Sequence, residues 1–476
     1  MRFLKQLRSV VASLGFQLPE LVFALIVLIA GLVCAWPEFK GMATSSLWQD
    51  ELYTIDEFSS HGAKYVLTHY NTNNHILFNL LSSVHDWKDR YNPFLARSSP
   101  FAAVTLAVVF AIGYHLWRRR PFEGSAEVFL LLANVPMLTL ALEARGYGFL
   151  ALAALLCSIL AWHYFTHESR LALVGLPIVV FLGTWTVPTF VVFGGALMVV
   201  LLIYTRDLRW LISGGFALLA IGLAYWPVRS FLQRDITDYA GLYGREFASW
   251  NAVGDLFSTF LLFGSGASLT FLLLVLVVAS LSYTRVLTPR SKASACLGFC
   301  ILLTLVVCLK MQTPPKRTVA YLAVPLAFII VTVLLDPFRR TESRQVQVWI
   351  MLLITLAAVG FTWQFHRTYH FLPIEAWRET AHRVEDRFPK GTEVVAQFRP
   401  ERLNAYLPRD YPIVAKLNLQ KFNAGKQIVV DSSFWKKSRF PSKTLPEGFQ
   451  TDTVAQRRGG RQIIYYMPFA TSSSAP

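Results

Sequence analysis

Long apolar runs broken by short polar or basic stretches dominate the chain as far as residue 366. A helix needs about 20 mostly apolar residues to cross a hydrocarbon core about 30 Å thick, because each residue rises about 1.5 Å. By that rule, spanning helices are expected at 20–37, 96–117, 125–142, 147–165, 171–187, 188–204, 209–228, 255–283, 293–309, 318–335 and 347–365, eleven in all. Pro188 marks a turn or a kink between two of them. Gly264 and Gly266 interrupt the run at 255–283. Ahead of the first run, Phe3, Leu4, Leu7, Val11 and Leu14 recur at helical spacing among basic residues. This predicts an interfacial helix over 1–19 on the inner leaflet. No small-x-small cleavage pattern follows the first apolar run, which favours a retained anchor over a removed leader.

The pattern changes near residue 367. Trp377, Ala381, Val384 and Phe388 repeat at i, i+4, i+7 and i+11 and predict an amphipathic helix, closed by Pro389-Lys390-Gly391. Glu393-Val394-Val395-Ala396, 427–430 and 462–466 read as strands. Residues 367–476 therefore predict a small α/β domain outside the membrane, with a frayed end at 471–476. The fold class expected is an α-helical polytopic membrane protein with a small C-terminal α/β extracytoplasmic domain. The outer loop 38–95 belongs to its transmembrane part, 20–366.

Composition narrows the picture further. Of the 476 residues, 54% are hydrophobic and only 16% charged, against about 25% charge in soluble domains. A disordered chain, a coiled coil and a single soluble domain are excluded. The net charge of +16 is read by position. Arg118-Arg119-Arg120, Arg170, Arg206, Arg209, Arg285, Arg290, Lys292, Arg339-Arg340 and Arg344 fall in alternate loops, with Arg2, Lys5 and Arg8 at the start. Positive charge collects on the cytoplasmic side, so the N-terminus is expected inside and the tail outside. Lys310, Lys316 and Arg317 are the exception on the outer side. The five cysteines lie in or beside apolar runs and form no metal-type CxxC pair.

The candidate chemistry lies in three outer loops. In the first, Ser46-Leu47-Trp48-Gln49 matches a capping box, with a helix from about Leu47. Asp50 and Glu51 then sit in its first turn, where the helix dipole favours their ionised forms. Such carboxylates can take a proton from a hydroxyl or hold a divalent cation. They can equally be solvated acids at a favoured position. Asn71-Thr72-Asn73-Asn74-His75 is a polar turn before an apolar segment, with Asn73 or Asn74 as the expected cap and His75 at the start. His75 reads either as a site residue or as an interfacial polar group. The second loop is the corner Glu143-Ala144-Arg145-Gly146-Tyr147, a snorkelling anchor or part of a site. The third carries Lys316 and Arg317, which suit a lipid phosphate or a headgroup anchor. No predicted span carries an acid near its middle, where a coupled transporter would place one.

These residues resemble the GT-C glycosyltransferases, in particular the branch of protein O-mannosyltransferases and the lipid A aminoarabinose transferase. The matching segments are Trp48-Gln49-Asp50-Glu51, Asn74-His75 before an apolar helix, Arg97-Ser98-Ser99-Pro100, Glu143-Ala144-Arg145-Gly146-Tyr147, and Arg317 followed by Tyr321 and Pro325. The resemblance covers roughly 20–335. It implies a membrane transferase that moves a sugar from a polyisoprenyl-phosphate-linked donor to a hydroxyl acceptor on a lipid, glycan or protein, with inversion. It implies Asp50 as the general base, with Glu51 supporting it or sharing a metal. His75, Glu143, Arg145, Tyr147, Lys316 and Arg317 are the substrate-binding candidates, and Arg145, Lys316 and Arg317 would face the donor phosphate. The family often has Arg directly before Tyr near the tenth span. Here three residues separate Arg317 from Tyr321, a departure from that pattern. Metal dependence is left open, a divalent cation falling to Asp50 and Glu51. A bacterial inner membrane is the expected location and nucleic acid is not an expected partner. The competing function is a transporter or flippase for a lipid-linked sugar.

Overall fold

The computed structural model describes residues 17–45, 47–71, 73–85, 87, 92–167, 169–234, 289–310, 320–339, 343–368, 377–396, 403, 406–408, 410–414, 416–432, 447–457 and 460–467. The interfacial segment up to residue 16, the span at 255–283, Ser46, Lys316 and Arg317 lie outside them. The chain divides into two units: 1–40, 54–86 and 97–370 form the first, and 41–53, 87–96 and 371–476 form the second.

The first unit is helical. Its elements are α1 (Leu18–Thr44), α2 (Gln49–Glu57), α3 (Ala63–Thr68), α4 (Ile76–Ser82), α5 (Pro93–Trp117), α6 (Pro121–Ala133), α7 (Val135–Leu142), α8 (Tyr147–His167), α9 (Arg170–Thr186), α10 (Phe190–Thr205), α11 (Arg209–Tyr225), α12 (Pro289–Lys310), α13 (Ala323–Arg339) and α14 (Arg344–Thr368). The unit boundary cuts α1 and α5 near one end and α2 through its middle, leaving Gly41 onward, residues up to Tyr53 and residues up to Ala96 to the second unit.

Among the described residues, α1, α5, α8, the helix running from Arg209 to Arg234, and α14 are long and apolar enough to cross a membrane. The bent pair α6–α7 makes a sixth candidate, and α9, α10, 292–304 and 320–332 are shorter apolar helices. Of the eleven expected spans, five or six meet this test of length and composition among the described residues, and 255–283 lies outside them. Side-chain exposure supports the membrane setting. Phe216 on α11 is 67% exposed and Trp363 on α14 is 66% exposed, within helices that bury little of their surface. A soluble monomer rarely leaves such continuous apolar faces open to water.

The expected span 125–142 is two helices that meet at 77°. Asn134 separates them, and its Oδ1 accepts from the Met137 N–H at 3.2 Å to cap α7. Pro136 in the first turn of α7 removes a backbone donor, so the second helix can start on a new axis. Hydropathy carries no such direction. In contrast, the break at Pro188 is found between α9 and α10.

Within the unit, α8 packs on α9 and α12, α9 on α11, and α13 on α6, α8 and α12. One core joins Ala24 and Val27 of α1 to Phe122 and Ala126 of α6, Val331 and Leu335 of α13 and Ala358 of α14. A second core, of Phe58, Val66, Tyr70, Ile76, Tyr225 and Val228, fastens the loop helices to the end of α11. There the Tyr225 hydroxyl donates to the Thr184 carbonyl at 2.7 Å.

The second unit carries α15 (Trp377–Arg387), β1 (Glu393–Ala396), β2 (Ile413–Val414), α16 (Leu419–Asn423), β3 (Gln427–Ser432), β4 (Gln450–Arg457) and β5 (Gly460–Tyr466). The sheet order is β2-β1-β3-β5-β4, parallel from β2 to β3 and antiparallel beyond. Both faces are covered. Trp377, Ala381, Val384 and Phe388 of α15 pack with Val394, Ile428, Val430 and Ile464. Alternate positions Val395, Val429, Ile463 and Tyr465 pack with Phe422 of α16, as the two-residue period of a strand requires.

Candidate functional site

In the second unit, α2 begins at Gln49, two residues later than the capping-box reading places it. Trp48 acts as the cap residue: its carbonyl accepts from the Glu51 and Leu52 N–H groups, each at 3.0 Å. The Glu51 Oε2 reaches back and accepts the Trp48 N–H at 3.0 Å. This is the reciprocal half of a capping box, supplied by Glu51 in place of Gln49. The Leu47 N–H donates to the Tyr406 hydroxyl at 2.7 Å, which ties the entry to the helix to the tail. Glu51 is fully buried and Asp50 is half-buried. One Glu51 oxygen is therefore occupied by backbone, and Asp50 is the more accessible of the two carboxylates.

In the first unit, the Glu143–Tyr147 corner meets the Asn73–His75 turn. Glu143 ends α7 in an extended conformation, and the Arg145 N–H folds back onto the Glu143 carbonyl at 2.6 Å. Arg145 is buried; its Nη2 donates to the Asn73 Oδ1 at 2.7 Å. The guanidinium also lies 5.2 Å from the centroid of the Tyr147 ring, within cation–π range. The buried His75 stands edge-to-face on the same ring at 5.1 Å. Its Nδ1 accepts the Gly146 N–H at 3.2 Å, which makes Nε2 the proton-bearing nitrogen of the ring. Thus one tyrosine ring orients both the guanidinium and the imidazole, and one backbone amide fixes the imidazole's tautomer.

His75, and neither Asn73 nor Asn74, is the residue that caps α4, and it does so without a side-chain bond. The two asparagines are used elsewhere. The Asn74 Nδ2 donates to the carbonyls of Val66 and His69 at 3.0 and 2.7 Å, and its Oδ1 accepts from Asn79 at 2.9 Å. Asn79 in turn accepts from the Ser59 hydroxyl at 2.9 Å. This buried polar chain sets the turn that holds His75. Two glycines allow the close approach. A Cβ at residue 146 would fall 2.4 Å from the Thr186 Cγ2 and 2.8 Å from the His75 Nδ1. A Cβ at residue 148 would fall 2.5 Å from the Ala141 carbonyl oxygen.

The structure therefore brings together Glu143, Arg145, Tyr147 and His75 from loops some seventy residues apart. Asp50 and Glu51 fall in the other unit. Sequence reasoning overlooked Asn73 as Arg145's partner, the Gly146 amide and the Asn74–Asn79–Ser59 chain. It also overlooked Glu38, buried at the end of α1, whose Oε2 accepts from the Thr139 hydroxyl at 2.8 Å. The one available signal was an unusual run of asparagines beside an apolar helix. Among the described residues, no three His, Cys, Asp or Glu side chains are placed to hold a metal ion together.

No family model matches the chain, and no curated protein matches it. Solved structures do. ArnT from Cupriavidus metallidurans, bound to undecaprenyl phosphate, aligns over 96% of this chain and 99% of its own, with a TM-score of 0.51 and 12% identity. The oligosaccharyltransferase of Archaeoglobus fulgidus, in complex with Zn and sulfate, aligns over 82% of this chain and 62% of its own, with a TM-score of 0.46 and 15% identity. At such identities the likeness is one of fold. With its apolar, outward-facing helices and its end-to-end alignment to ArnT, the chain is an integral membrane protein with a GT-C-like fold.

Proposed function

We propose that this chain is a membrane glycosyltransferase that moves a sugar from a polyisoprenyl-phosphate-linked donor to a hydroxyl acceptor on the extracytoplasmic side. The observation that carries the reading is the corner where Arg145 and His75 are buried and oriented on one ring. A guanidinium held in this way is suited to a phosphate, since its orientation is set before the ligand arrives. The fold shared with ArnT, whose structure holds undecaprenyl phosphate, supports the donor class. The wider arrangement belongs to the same proposal. It has about eleven crossings in a bacterial inner membrane, with the N-terminus cytoplasmic and the 367–476 α/β domain extracytoplasmic.

In this reading the Asp50 carboxylate takes the proton of the acceptor hydroxyl. The acceptor oxygen forms a bond to the anomeric carbon from the face opposite the leaving group. The bond from that carbon to the phosphate oxygen breaks, its electron pair leaves with the lipid phosphate, and the sugar inverts. Arg145 stabilises the charge that grows on the leaving phosphate, with Lys316 and Arg317 as further contacts. Glu51 holds the turn that presents Asp50. Glu143 ends the helix that delivers Arg145, and Tyr147 and His75 orient the donor.

Asp50→Asn tests the assignment. It should lower turnover by about 10²–10⁴-fold, the usual contribution of a positioned base, with membrane insertion unchanged. Near-normal turnover by that variant would remove Asp50 from the mechanism. Arg145→Lys, which loses the fork geometry, should lower kcat and kcat/KM together, as expected for a group that stabilises the growing phosphate charge.

A further inference from the structure

The end of α5 is closed by arginine where glycine is the usual choice. The Arg119 N–H donates to the Leu116 carbonyl at 2.8 Å and the Arg120 N–H to the His115 carbonyl at 2.7 Å. These are the two bonds of a Schellman closure, and Arg119 takes its left-handed position with φ 55°. A Cβ is unfavourable there. Among the described residues, the non-glycine residues with positive φ are Arg119 and Arg206, each just beyond an apolar helix.

Beside Arg119, the Arg118 guanidinium lies 5.9 Å from the ring centroids of both Trp117 and Trp162. Its Nη1 donates to the His167 Nε2 at 2.5 Å. An imidazole acceptor brings no negative charge. His163 stands 5.0 Å from His167 and 5.5 Å from Trp117. The Arg118 Nε and the His163 Nδ1 are buried and have no hydrogen-bond partner among the described residues. No described carboxylate pairs with Arg118 or Arg119, whereas Arg120 has Glu123 at 3.4 Å. Trp117 is 63% exposed at the same helix end. The cluster thus has surplus cations, two unmet buried nitrogens and an apolar rim, where two membrane-crossing helices, α5 and α8, end. An anion meeting it at headgroup level comes attached to acyl chains.

We propose that the ends of α5 and α8 hold the phosphate of an anionic phospholipid, with Arg118, Arg119 and His163 as donors and Trp117 against the lipid's apolar part. This rests on the two spans alone and is independent of the transferase reading.

Native mass spectrometry of the purified full chain, offered equimolar phosphatidylglycerol and phosphatidylcholine with matched acyl chains, reads the preference. The wild type should retain phosphatidylglycerol preferentially. Arg118→Gln should cut that preference by about fivefold, roughly what one basic residue contributes beside an anionic surface. Arg119→Gly should cut it similarly, with no loss of thermal stability in neutral detergent, because glycine suits the backbone there. Arg170→Gln, a basic residue outside the cluster, should leave it unchanged. Equal retention of the two lipids by the wild type overturns the proposal. So does an unaltered preference in Arg119→Gly, or an equal loss in Arg170→Gln. Displacement of the lipid by excess inorganic phosphate overturns the lipid assignment in favour of a free-anion site.

Discussion

A methyl group on residue 146 would collide with both the Thr186 Cγ2 and the His75 Nδ1. The same residue supplies the N–H that fixes the imidazole. Gly146→Ala should therefore displace His75 and Thr186 together. A loss of about tenfold or more in kcat/KM is expected, the kinetic equivalent of about 1.4 kcal/mol. Adding Thr186→Ser removes the nearer of the two obstructing groups and should recover part of the loss. Wild-type kinetics in Gly146→Ala would show that the corner takes no part in turnover. At this scale the sequence was only half legible. Glu143, Arg145 and Tyr147 stood out as charged and aromatic residues at a membrane boundary. Nothing in their spacing pointed to Asn73, 72 positions away, as the residue that orients Arg145. Long-range pairing leaves no periodic trace.

Between α10 and α11 the chain turns on Asp207. Its Oδ1 accepts the Arg209 N–H at 3.0 Å, and its Oδ2 accepts the Tyr164 hydroxyl at 2.7 Å. Hydrogen bonds from Arg209 hold the Asp207 carboxyl well below the usual carboxylate range. A depressed carboxylate stabilises the fold fully above its unfolded value of about 3.9, and the contribution fades as pH falls through the folded value. Because Arg209 is 55% exposed, screening keeps the effect small. Thermal unfolding in detergent between pH 7 and pH 3 should show an acid-side loss that Asp207→Asn reduces. An unchanged acid slope in that variant would mean that the turn is held by backbone alone. Other elements explain what sequence alone could and could not supply. Pro188 announced the break between α9 and α10 because proline acts on its own backbone. Asn134 did not announce the 77° bend, since a single polar residue in an apolar run has no fixed meaning. β4 escaped notice because it is an edge strand of polar residues such as Gln450, Thr451 and Asp452. β2 escaped because it has only two residues.

Across the whole molecule, hydropathy made the membrane setting plain, and the fold aligns with ArnT almost end to end. What hydropathy did not separate, among the described residues, was the long helix from the short one, because an apolar helix such as α9 satisfies the composition of a span without its length. The division into two units was also hidden. Residues 41–53 and 87–96 group with the tail, although their sequence is that of membrane-side loops. The central claim is that this fold breaks the bond between a sugar and a polyprenyl phosphate. The direct measurement is the fate of a labelled donor. Purified chain in proteoliposomes is given polyprenyl-phosphate hexoses and pentoses together with a cell-envelope lipid and glycan extract as acceptor. Free polyprenyl phosphate should accumulate as labelled acceptor forms, and Asp50→Asn should slow both by about 10²–10⁴-fold. Donor recovered intact after it has crossed the bilayer would contradict the account and identify a flippase.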